Sequence, residues 1–331
     1  MSGKGTQRGE FELIAALFSP LAHGAAGALS LKDDAAFIGV APGCELALTT
    51  DTLIAGVHFR KDDPPDLIAR KALRVNLSDL AAKGARPRGF LHALALNSDI
   101  DDAFLERYAA GLASDVKDFN VPLLGGDTTS GPGPLTITIT AIGEVEKGKA
   151  LLRGGAKPGD IVCASGSIGD GALGLACLTD ALPLPPPLAA GLVDRYRLPQ
   201  PRLTVGEALK GIASACLDVS DGLIADLGHL CDVSQVSAVI HREKVPLSPG
   251  AKAALEHDAR WWESILAGGD DYELVFTVPP ERVARLEQIA AQTGVPLTAI
   301  GEIADAAKGN GVTVLANGEP FTIARSGYRH R

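Results

Sequence analysis

Hydrophobic and polar residues alternate with two different periods in the first half of the chain. Residues 135–141 place leucine, isoleucine and alanine at every second position, with threonines between them, which predicts a strand with one buried face. Residues 65–84 show helical spacing instead and end at a glycine, as helices often do. Similar patterns predict strands at 45–51, 89–97 and 121–124 and a helix at 101–119.

The second half shows the same mixture of the two periods. A cluster of prolines at 183–187 predicts a rigid surface connection. The apolar spacing predicts helices at 169–178, 204–215, 222–231 and 280–293 and strands at 160–164, 272–278, 297–303 and 312–315.

Length and composition place the chain among folded two-domain proteins. At about 150 residues per domain, 331 residues suggest two domains. Hydrophobic residues are 46% and charged residues 21% of the chain, unlike a disordered protein. A stretch rich in glycine and charge follows Gly143, so we place the boundary near Lys147. The predicted fold class is α+β, with two mixed α/β domains at 1–147 and 148–331.

Charge and cysteine usage exclude several classes of function. The formal net charge of −9 has the wrong sign for a general nucleic-acid or anionic-membrane binder. The five cysteines are widely spaced and lack a Cys-x-x-Cys pair, which disfavours a disulfide framework and a zinc site and favours a reducing cytoplasm. Residues 11–31 are rather apolar, but Glu12 and Pro20 interrupt them, so we expect an N-terminal helix and no membrane span.

Aspartates stand beside glycine, serine or threonine at the ends of apolar runs. Each alone has an ordinary explanation: Asp221 suits a helix N-cap, Asp79 a solvated stripe with Asn76 and Lys83, and Asp127 a turn. Together they suggest a site for a hard cation, because Mg²⁺ prefers carboxylates and phosphate oxygens. The five segments are KDDAA at 32–36, TTDT at 49–52, NLSDL at 76–80, GGDTT at 125–129 and DVSDG at 218–222.

Strand geometry limits which side chains meet at such a site. Thr49 and Asp51 lie on one side of a strand, whereas Thr50 faces the other side and would contribute only through its backbone or after a local bend. Only one of Asp33 and Asp34 needs to face the cleft. The chain lacks a Gly-x-x-x-x-Gly-Lys-Ser/Thr segment, so a P-loop mechanism is excluded and metal-assisted phosphoryl chemistry remains.

Seven motifs in order resemble those of the thiamine-phosphate kinase family, whose superfamily includes aminoimidazole ribonucleotide synthetase and selenophosphate synthetase. The resemblance runs from about Gly9 to Tyr328. It implies the superfamily's fold, a homodimer formed through a sheet of the N-terminal domain, and transfer of the γ-phosphoryl group of ATP to thiamine monophosphate with several Mg²⁺ ions. The motifs are KDDAA, TTDTLIAGVHF, ALRVNLSDLAAKGARP, LLGGDTTSGP, LLRGGAKPGD, LDVSDGLIADLGHL and GGDDYELVF.

The resemblance also implies roles for individual residues, among which Asp51, Asp127 and Asp221 are central to catalysis. It implies contacts with ATP by Gly126, Asp127, Arg153 and Ser220. It implies contacts with the thiamine phosphate by His58, Asp270 and Tyr328. Its metal ligands correspond to Asp34, Thr49, Thr50, Asp51, Asp79, Asp127, Asp218 and Asp221.

Two positions depart from the family pattern, and other functions stay open. Lys32 stands where the family usually has glycine, and Asp270 stands where glutamate is frequent. A selenophosphate synthetase needs a reactive residue in a glycine-rich N-terminal segment, whereas the first cysteine here is Cys44. An aminoimidazole ribonucleotide synthetase would lack the paired HF and GGDDYEL motifs. A nucleotide-binding module without turnover is the third alternative.

Overall fold

A computed structural model describes residues 9–306, 311–324 and 327. The chain divides into two compact units. The first contains the residues up to Leu80 together with Arg86–Lys147, and the second contains Ala81–Ala85 together with the chain from Gly148 onward. A division at residue 147 alone would leave Ala81–Ala85 in the first domain.

The first unit contains a four-stranded sheet with the order β1-β4-β2-β3. β1 and β2 both pair antiparallel with β4, whereas β3 pairs parallel with β2. The two edges of the sheet are therefore β1 and β3. The strands are β1 (Cys44–Ile54), β2 (Arg86–Leu96), β3 (Leu123–Ser130) and β4 (Thr136–Glu146).

The alternation predicted for residues 135–141 is confirmed in and beside β4. Leu135, Ile137, Ile139 and Ala141 are buried, whereas the threonines between them are partly exposed. Asp51 lies opposite Ile139 in the ladder, so Asp51 shares the buried face. The predicted strand 121–124 proves too short, because β3 continues through the Gly-Gly-Asp motif.

Two long helices of the first unit match the helical patterns closely. The N-terminus of α3 is capped by Asp101, whose carboxylate accepts the Phe104 amide at 2.8 Å. Gly111 allows α3 to approach α2, because a Cβ there would lie 2.2 Å from the carbonyl oxygen of Asp66. The helices of this unit include α1 (Glu10–Leu13), α2 (Pro65–Ala82) and α3 (Asp102–Asp118).

The expectation of one N-terminal helix over 11–31 is wrong beyond the first turns. α1 leads into a π-helical turn at Ile14–Phe18 and 3₁₀ turns at Ser19–Ala22 and Ala26–Leu31. Leu29 and Ser30 have positive φ angles of 49° and 57°, which an α-helix does not accommodate.

The second unit contains a seven-stranded sheet with the order β11-β10-β7-β9-β5-β8-β6. Its neighbouring strands pair antiparallel except for β7 and β10, which are parallel. The strands are β5 (Ile161–Ser165), β6 (Ala215–Asp218), β7 (Ser237–His241), β8 (Leu274–Val278), β9 (Leu297–Ala304), β10 (Val312–Ala316) and β11 (Glu319–Pro320).

The helices of the second unit correct two sequence predictions. The proline cluster is a surface connection only as far as Pro185, because α5 begins at Pro186, where a helix needs no N–H donor. The helix predicted at 204–215 ends at Leu209, and β6 begins at Ala215. The helices are α4 (Asp170–Leu178), α5 (Pro186–Arg197), α6 (Leu203–Leu209), α7 (Leu223–Ser234), α8 (Pro249–His257), α9 (Trp261–Ala267) and α10 (Ala284–Thr293).

Each unit buries a core of apolar side chains, mainly leucine, isoleucine, valine and alanine. In the second unit Val162, Leu217 and Val275 from the sheet pack with Leu227 and Leu230 of α7. Within the described ranges no helix combines the length and the apolarity that crossing a membrane requires. The five cysteines are free thiols, as predicted.

Candidate functional site

The buried face of β1 meets α2 at a cluster of short polar side chains. Thr49 donates a hydrogen bond from Oγ1 to Oδ2 of Asp79. The amide of Asp51 donates to Oδ1 of Asn76 at 3.1 Å. Asn76 is fully buried, and its Nδ2 donates to the Ala72 carbonyl at 3.0 Å, which orients the amide. The structure therefore brings Thr49, Asp51 and Asp79 together, and it adds Asn76.

This cluster has the chemistry of a cation site. Burial, followed by the negative charge of Asp79, raises the pKa of Asp51 from 3.8 to about 6. The carboxylates of Asp51 and Asp79, with the Thr49 hydroxyl beside them, are oxygen donors of the kind that Mg²⁺ prefers. The solvated stripe considered for Asp79 is wrong, because Asn76 is buried.

Thr50 faces the opposite side of the sheet, as the strand period predicts. Its hydroxyl donates to the Ile139 carbonyl at 3.2 Å and accepts from the Thr140 hydroxyl at 3.0 Å. The Thr50 side chain is therefore separated from Thr49 and Asp51.

Asp34, Gly126 and Asp127 line a cavity of about 650 Å³ in the first unit. Asp33 lines it as well, although the sequence required only one of the two adjacent aspartates. Gly126 suits its position, because a Cβ there would lie 1.9 Å from the His92 carbonyl oxygen.

The ladder separates Asp127 from Asp51 within one chain. Asp51 lies opposite Ile139, Ile139 opposite His92, and His92 opposite Gly126. Three strand spacings amount to roughly 14 Å, too far for both carboxylates to reach one small cation. The structure therefore does not bring these two predicted metal ligands together in a single copy of the sheet.

Lys32 takes the place of the family glycine without a left-handed backbone. Its φ is −116°, an angle open to any residue. The left-handed residues precede it, at Leu29, Ser30 and Leu31.

His58 follows β1 and is half-buried. Its Nδ1 accepts the Ile54 amide at 3.0 Å, which places the proton of a neutral ring on Nε2. His58 is therefore oriented by the end of β1.

In the second unit the DVSDG segment wraps around a carboxylate that the sequence analysis missed. Oδ2 of Asp226 accepts the amides of Ser220, Asp221 and Gly222 at 3.0, 3.0 and 3.1 Å. Gly222 is the N-cap residue of α7, so the N-cap alternative for Asp221 is wrong. Asp218 ends β6 and is 5% exposed.

Asp221, Asp226 and His229 each place a potential ligand atom within 4.8 Å of the others. Burial raises the pKa of Asp226 from 3.8 to about 7 against the lowering effect of its amide donors, and Asp221 adds to the rise. The three-residue spacing from Asp226 to His229 on α7 is the sequence signal that points to this cluster.

The remaining predicted residues of the second unit lie in different settings. Arg153 is exposed, and its carbonyl accepts the Ser234 hydroxyl at 3.4 Å. Asp270 is half-buried and has a φ of 72°. Tyr328 lies outside the described residues. Two neighbours of Asp270 that sequence reasoning missed, Asp271 and Glu273, are buried.

The chain is similar to known protein families and to individual enzymes over nearly its whole length. Residues 32–145 match the AIR synthase related protein N-terminal domain, and residues 157–313 match the corresponding C-terminal domain. A thiamine-monophosphate kinase of Caulobacter vibrioides is 42% identical, covering 97% of this chain and 90% of that protein. The thiamine-monophosphate kinase of Escherichia coli K12 is 41% identical, covering 97% and 98%.

Solved structures agree with these relatives. Thiamine-monophosphate kinase from Stenotrophomonas maltophilia K279a is 37% identical with a TM-score of 0.82, covering 92% of this chain and 98% of that one. A structure described as AaThiL complexed with AMPPCP and TMP is 31% identical with a TM-score of 0.77, covering 99% and 100%. Hydrogenase maturation protein HypE, at 23% identity and a TM-score of 0.77, shares the fold.

Proposed function

We propose, from the premise that the chain belongs to the thiamine-monophosphate kinase family of enzymes, that it transfers the γ-phosphoryl group of ATP to thiamine monophosphate. The observation that carries this proposal is the likeness over nearly the whole chain to a structure holding AMPPCP and TMP. The product is thiamine diphosphate. The predicted cytoplasmic location would supply both substrates.

The oxygen donors of both units support Mg²⁺ as the accompanying cation. The raised pKa of Asp51 reflects its burial beside a second carboxylate, an arrangement whose repulsion a divalent cation would offset. Bound Mg²⁺ would also offset the repulsion between two anionic substrates and the charge that develops during transfer. The residues proposed to hold Mg²⁺ ions are Asp34, Thr49, Asp51, Asp79 and Asp127 in the first unit, with Thr50 contributing its backbone, and Asp218 and Asp221 in the second unit.

The chain's own residues then have binding and positioning roles. Arg153 is exposed and forked, so it suits phosphate oxygens of ATP, and Gly126 and Ser220 are proposed to contact the nucleotide. Asp270, His58 and Tyr328 are proposed to contact thiamine monophosphate. No general base is needed, because the acceptor phosphate has a second pKa of about 6. We therefore propose direct in-line transfer, with His58 binding substrate.

The separation of Asp127 from Asp51 favours a homodimer. These residues lie on the β3 and β1 edges of the sheet, so an edge contact with a second copy would bring the partner's β3, the strand that carries Asp127, beside β1, the strand that carries Asp51. Exposed edges of this length pair readily with other strands. Leu48 on β1 is 65% exposed and Phe37 71% exposed, which an interface would cover.

Product analysis tests the proposed reaction. The protein is incubated with Mg·ATP and either thiamine or thiamine monophosphate, and ADP and thiamine diphosphate are measured. We expect both products in equal amounts with thiamine monophosphate. ADP release with an aminoimidazole ribonucleotide precursor alone would favour the related synthetase activity, and nucleotide binding without ADP release would favour a silent module.

Mg²⁺ should stabilise the protein more at neutral than at acidic pH. The folded pKa of Asp51, about 6, exceeds the unfolded value of 3.8. The stability contributed by its proton is complete below the unfolded pKa and is lost as pH rises through the folded one. Mg²⁺ binds the ionised carboxylate of Asp51. At about pH 5.5 much of this carboxylate carries a proton that Mg²⁺ must displace, whereas at about pH 7.5 the proton is already absent, so Mg²⁺ binding stabilises the folded protein more at the higher pH.

Thermal melts with chelator and with millimolar Mg²⁺ at both pH values measure this effect. We expect the Mg²⁺-induced rise in melting temperature to be larger at the higher pH and larger again with ATP. Asp51→Asn is the control that should shrink the difference between the two pH values. Equal rises at both pH values, in the native protein and the variant, would contradict the prediction.

A further inference from the structure

The segment that leads into β8 has an unusual backbone. Asp270 has a φ of 72° and Tyr272 a φ of 50°, left-handed angles that residues with a Cβ disfavour. One residue, Asp271, separates them, and both Asp271 and the following Glu273 are buried carboxylates. Such a backbone persists only where its surroundings impose it.

Asp271 ties this segment to the beginning of α4. It is 2% exposed. Its Oδ2 accepts the Gly169 amide at 2.7 Å and its Oδ1 accepts the Gly171 amide at 3.0 Å. The N-cap residue Gly169 has no side chain to satisfy those amides, so Asp271 performs the capping from about a hundred positions away.

Glu273 ties the segment to two arginines. It is fully buried, and its carboxylate accepts Nη2 of Arg195 at 2.6 Å and Nε of Arg202 at 2.6 Å. The Ser165 hydroxyl donates to the same carboxylate at 2.6 Å. Arg195 also donates to the Asp271 carbonyl at 3.3 Å, which links the two anchors.

The backbone between the anchors is attached to the DVSDG segment. The Asp270 amide donates to the Ser220 carbonyl at 2.9 Å, and the Tyr272 amide donates to the Val219 carbonyl at 2.8 Å. Gly171 lies so close that a Cβ there would be 2.3 Å from the Asp270 carbonyl oxygen. Asp270 is therefore held from both sides.

We propose that Asp271 and Glu273 are positioning residues that hold Asp270 in its left-handed conformation and thereby aim its carboxylate at thiamine monophosphate. The inference rests on the proposed function and extends it to two buried carboxylates. Neither anchor needs to touch the substrate. Their effect on the reaction passes through Asp270.

Steady-state kinetics of Asp271→Asn and Glu273→Gln test the proposal. In Asp271→Asn the side chain keeps one oxygen acceptor, but its NH₂ group faces the N–H group of one of the two glycines. The hydrogen bond to that glycine is therefore lost. We expect each variant to raise the KM for thiamine monophosphate about tenfold while the KM for ATP changes less than about twofold. Asp160→Asn is the matched control, because Asp160 is a buried carboxylate of the same unit that accepts the Lys157 amide and the Ser214 hydroxyl.

A double variant separates positioning from a general loss of structure. Asp270→Ala should raise the KM for thiamine monophosphate by itself, and adding Asp271→Asn should raise it no further, because the anchor has nothing left to position. Multiplication of the two effects would overturn the proposal. So would equal increases in both KM values, or a lower melting temperature as the sole change.

Hydrogen exchange tests the anchoring without activity. The amides of Asp270 and Tyr272 should exchange faster in Asp271→Asn than in native protein or in Asp160→Asn. Unchanged exchange at both amides would overturn the proposal. If native protein forms no thiamine diphosphate while Asp271→Asn still exchanges these two amides faster, the proposed function is refuted. The anchoring of the backbone is then still supported.

Discussion

Replacing Asp51 by asparagine is expected to lower kcat about a hundredfold or more, the loss typical of one missing electrostatic stabiliser. The change keeps the shape of the side chain and removes its charge. The Asp51 backbone would still bond to Asn76, so the fold should persist. The loss should fall on kcat, because the cation that Asp51 is proposed to hold acts on charge in the transition state.

Glu45→Gln is the matched control for this experiment, because Glu45 is an exposed carboxylate on the same strand. It should retain nearly all of the native kcat. An Asp51→Asn variant that also keeps most of its kcat would contradict the metal role and leave Asp51 as a buried structural carboxylate.

The same experiment can separate one-chain from two-chain sites. Asp127→Asn should be as impaired as Asp51→Asn. If the partner's Asp127 completes the site, co-refolding equal amounts of the two variants should restore about a quarter of native activity, because half of the dimers would be mixed and each mixed dimer would have one intact site. No recovery would contradict a site that the partner's Asp127 completes.

Asp115→Ala is expected to destabilise the first unit by about 3–5 kcal/mol. Asp115 is fully buried between α3 and α2. It accepts Nε of Arg70 at 2.8 Å and Nε and Nη2 of Arg74 at 2.7 and 2.9 Å. Arg74 is itself 4% exposed, so removing the carboxylate leaves a buried positive charge without its partner.

Thermal and denaturant unfolding measure this loss, which corresponds to a melting-temperature decrease of about 10 °C for a unit of this size. Asp118→Ala is the control, since Asp118 is half exposed on the same helix and lies 3.6 Å from Nη2 of Arg70. It should change stability by less than about 1 kcal/mol. A small effect of Asp115→Ala would mean that solvent reaches Arg74 in the variant.

The local patterns of the sequence determined much of the secondary structure. The two-residue period at 135–141 identifies the buried face of β4, and the helical pattern of 65–84 yields α2. The same period places Thr49 and Asp51 on one face and Thr50 on the other, as the hydrogen bonds of all three show. These features depend on residues within one element, so the sequence of that element suffices.

Long-range contacts decided the features that the sequence analysis missed. Asp226 requires a turn of the DVSDG backbone around it, Asp271 meets amides about a hundred residues away, and Glu273 meets arginines more than seventy residues away. β7, α8 and α9 were missed too, and α5 was hidden by prolines that merely begin it.

Motif order in the sequence by itself determined the family and the residue types of the proposed site. The tertiary structure alone decided which of those residues meet. It places Asp79 close enough to Asp51 for the two charges to interact. It also separates Asp51 on β1 from Asp127 on β3 by two intervening strands. The physical reason is that a strand's period determines the face of a side chain, whereas its neighbours depend on strand order, which only the pairing of distant segments establishes.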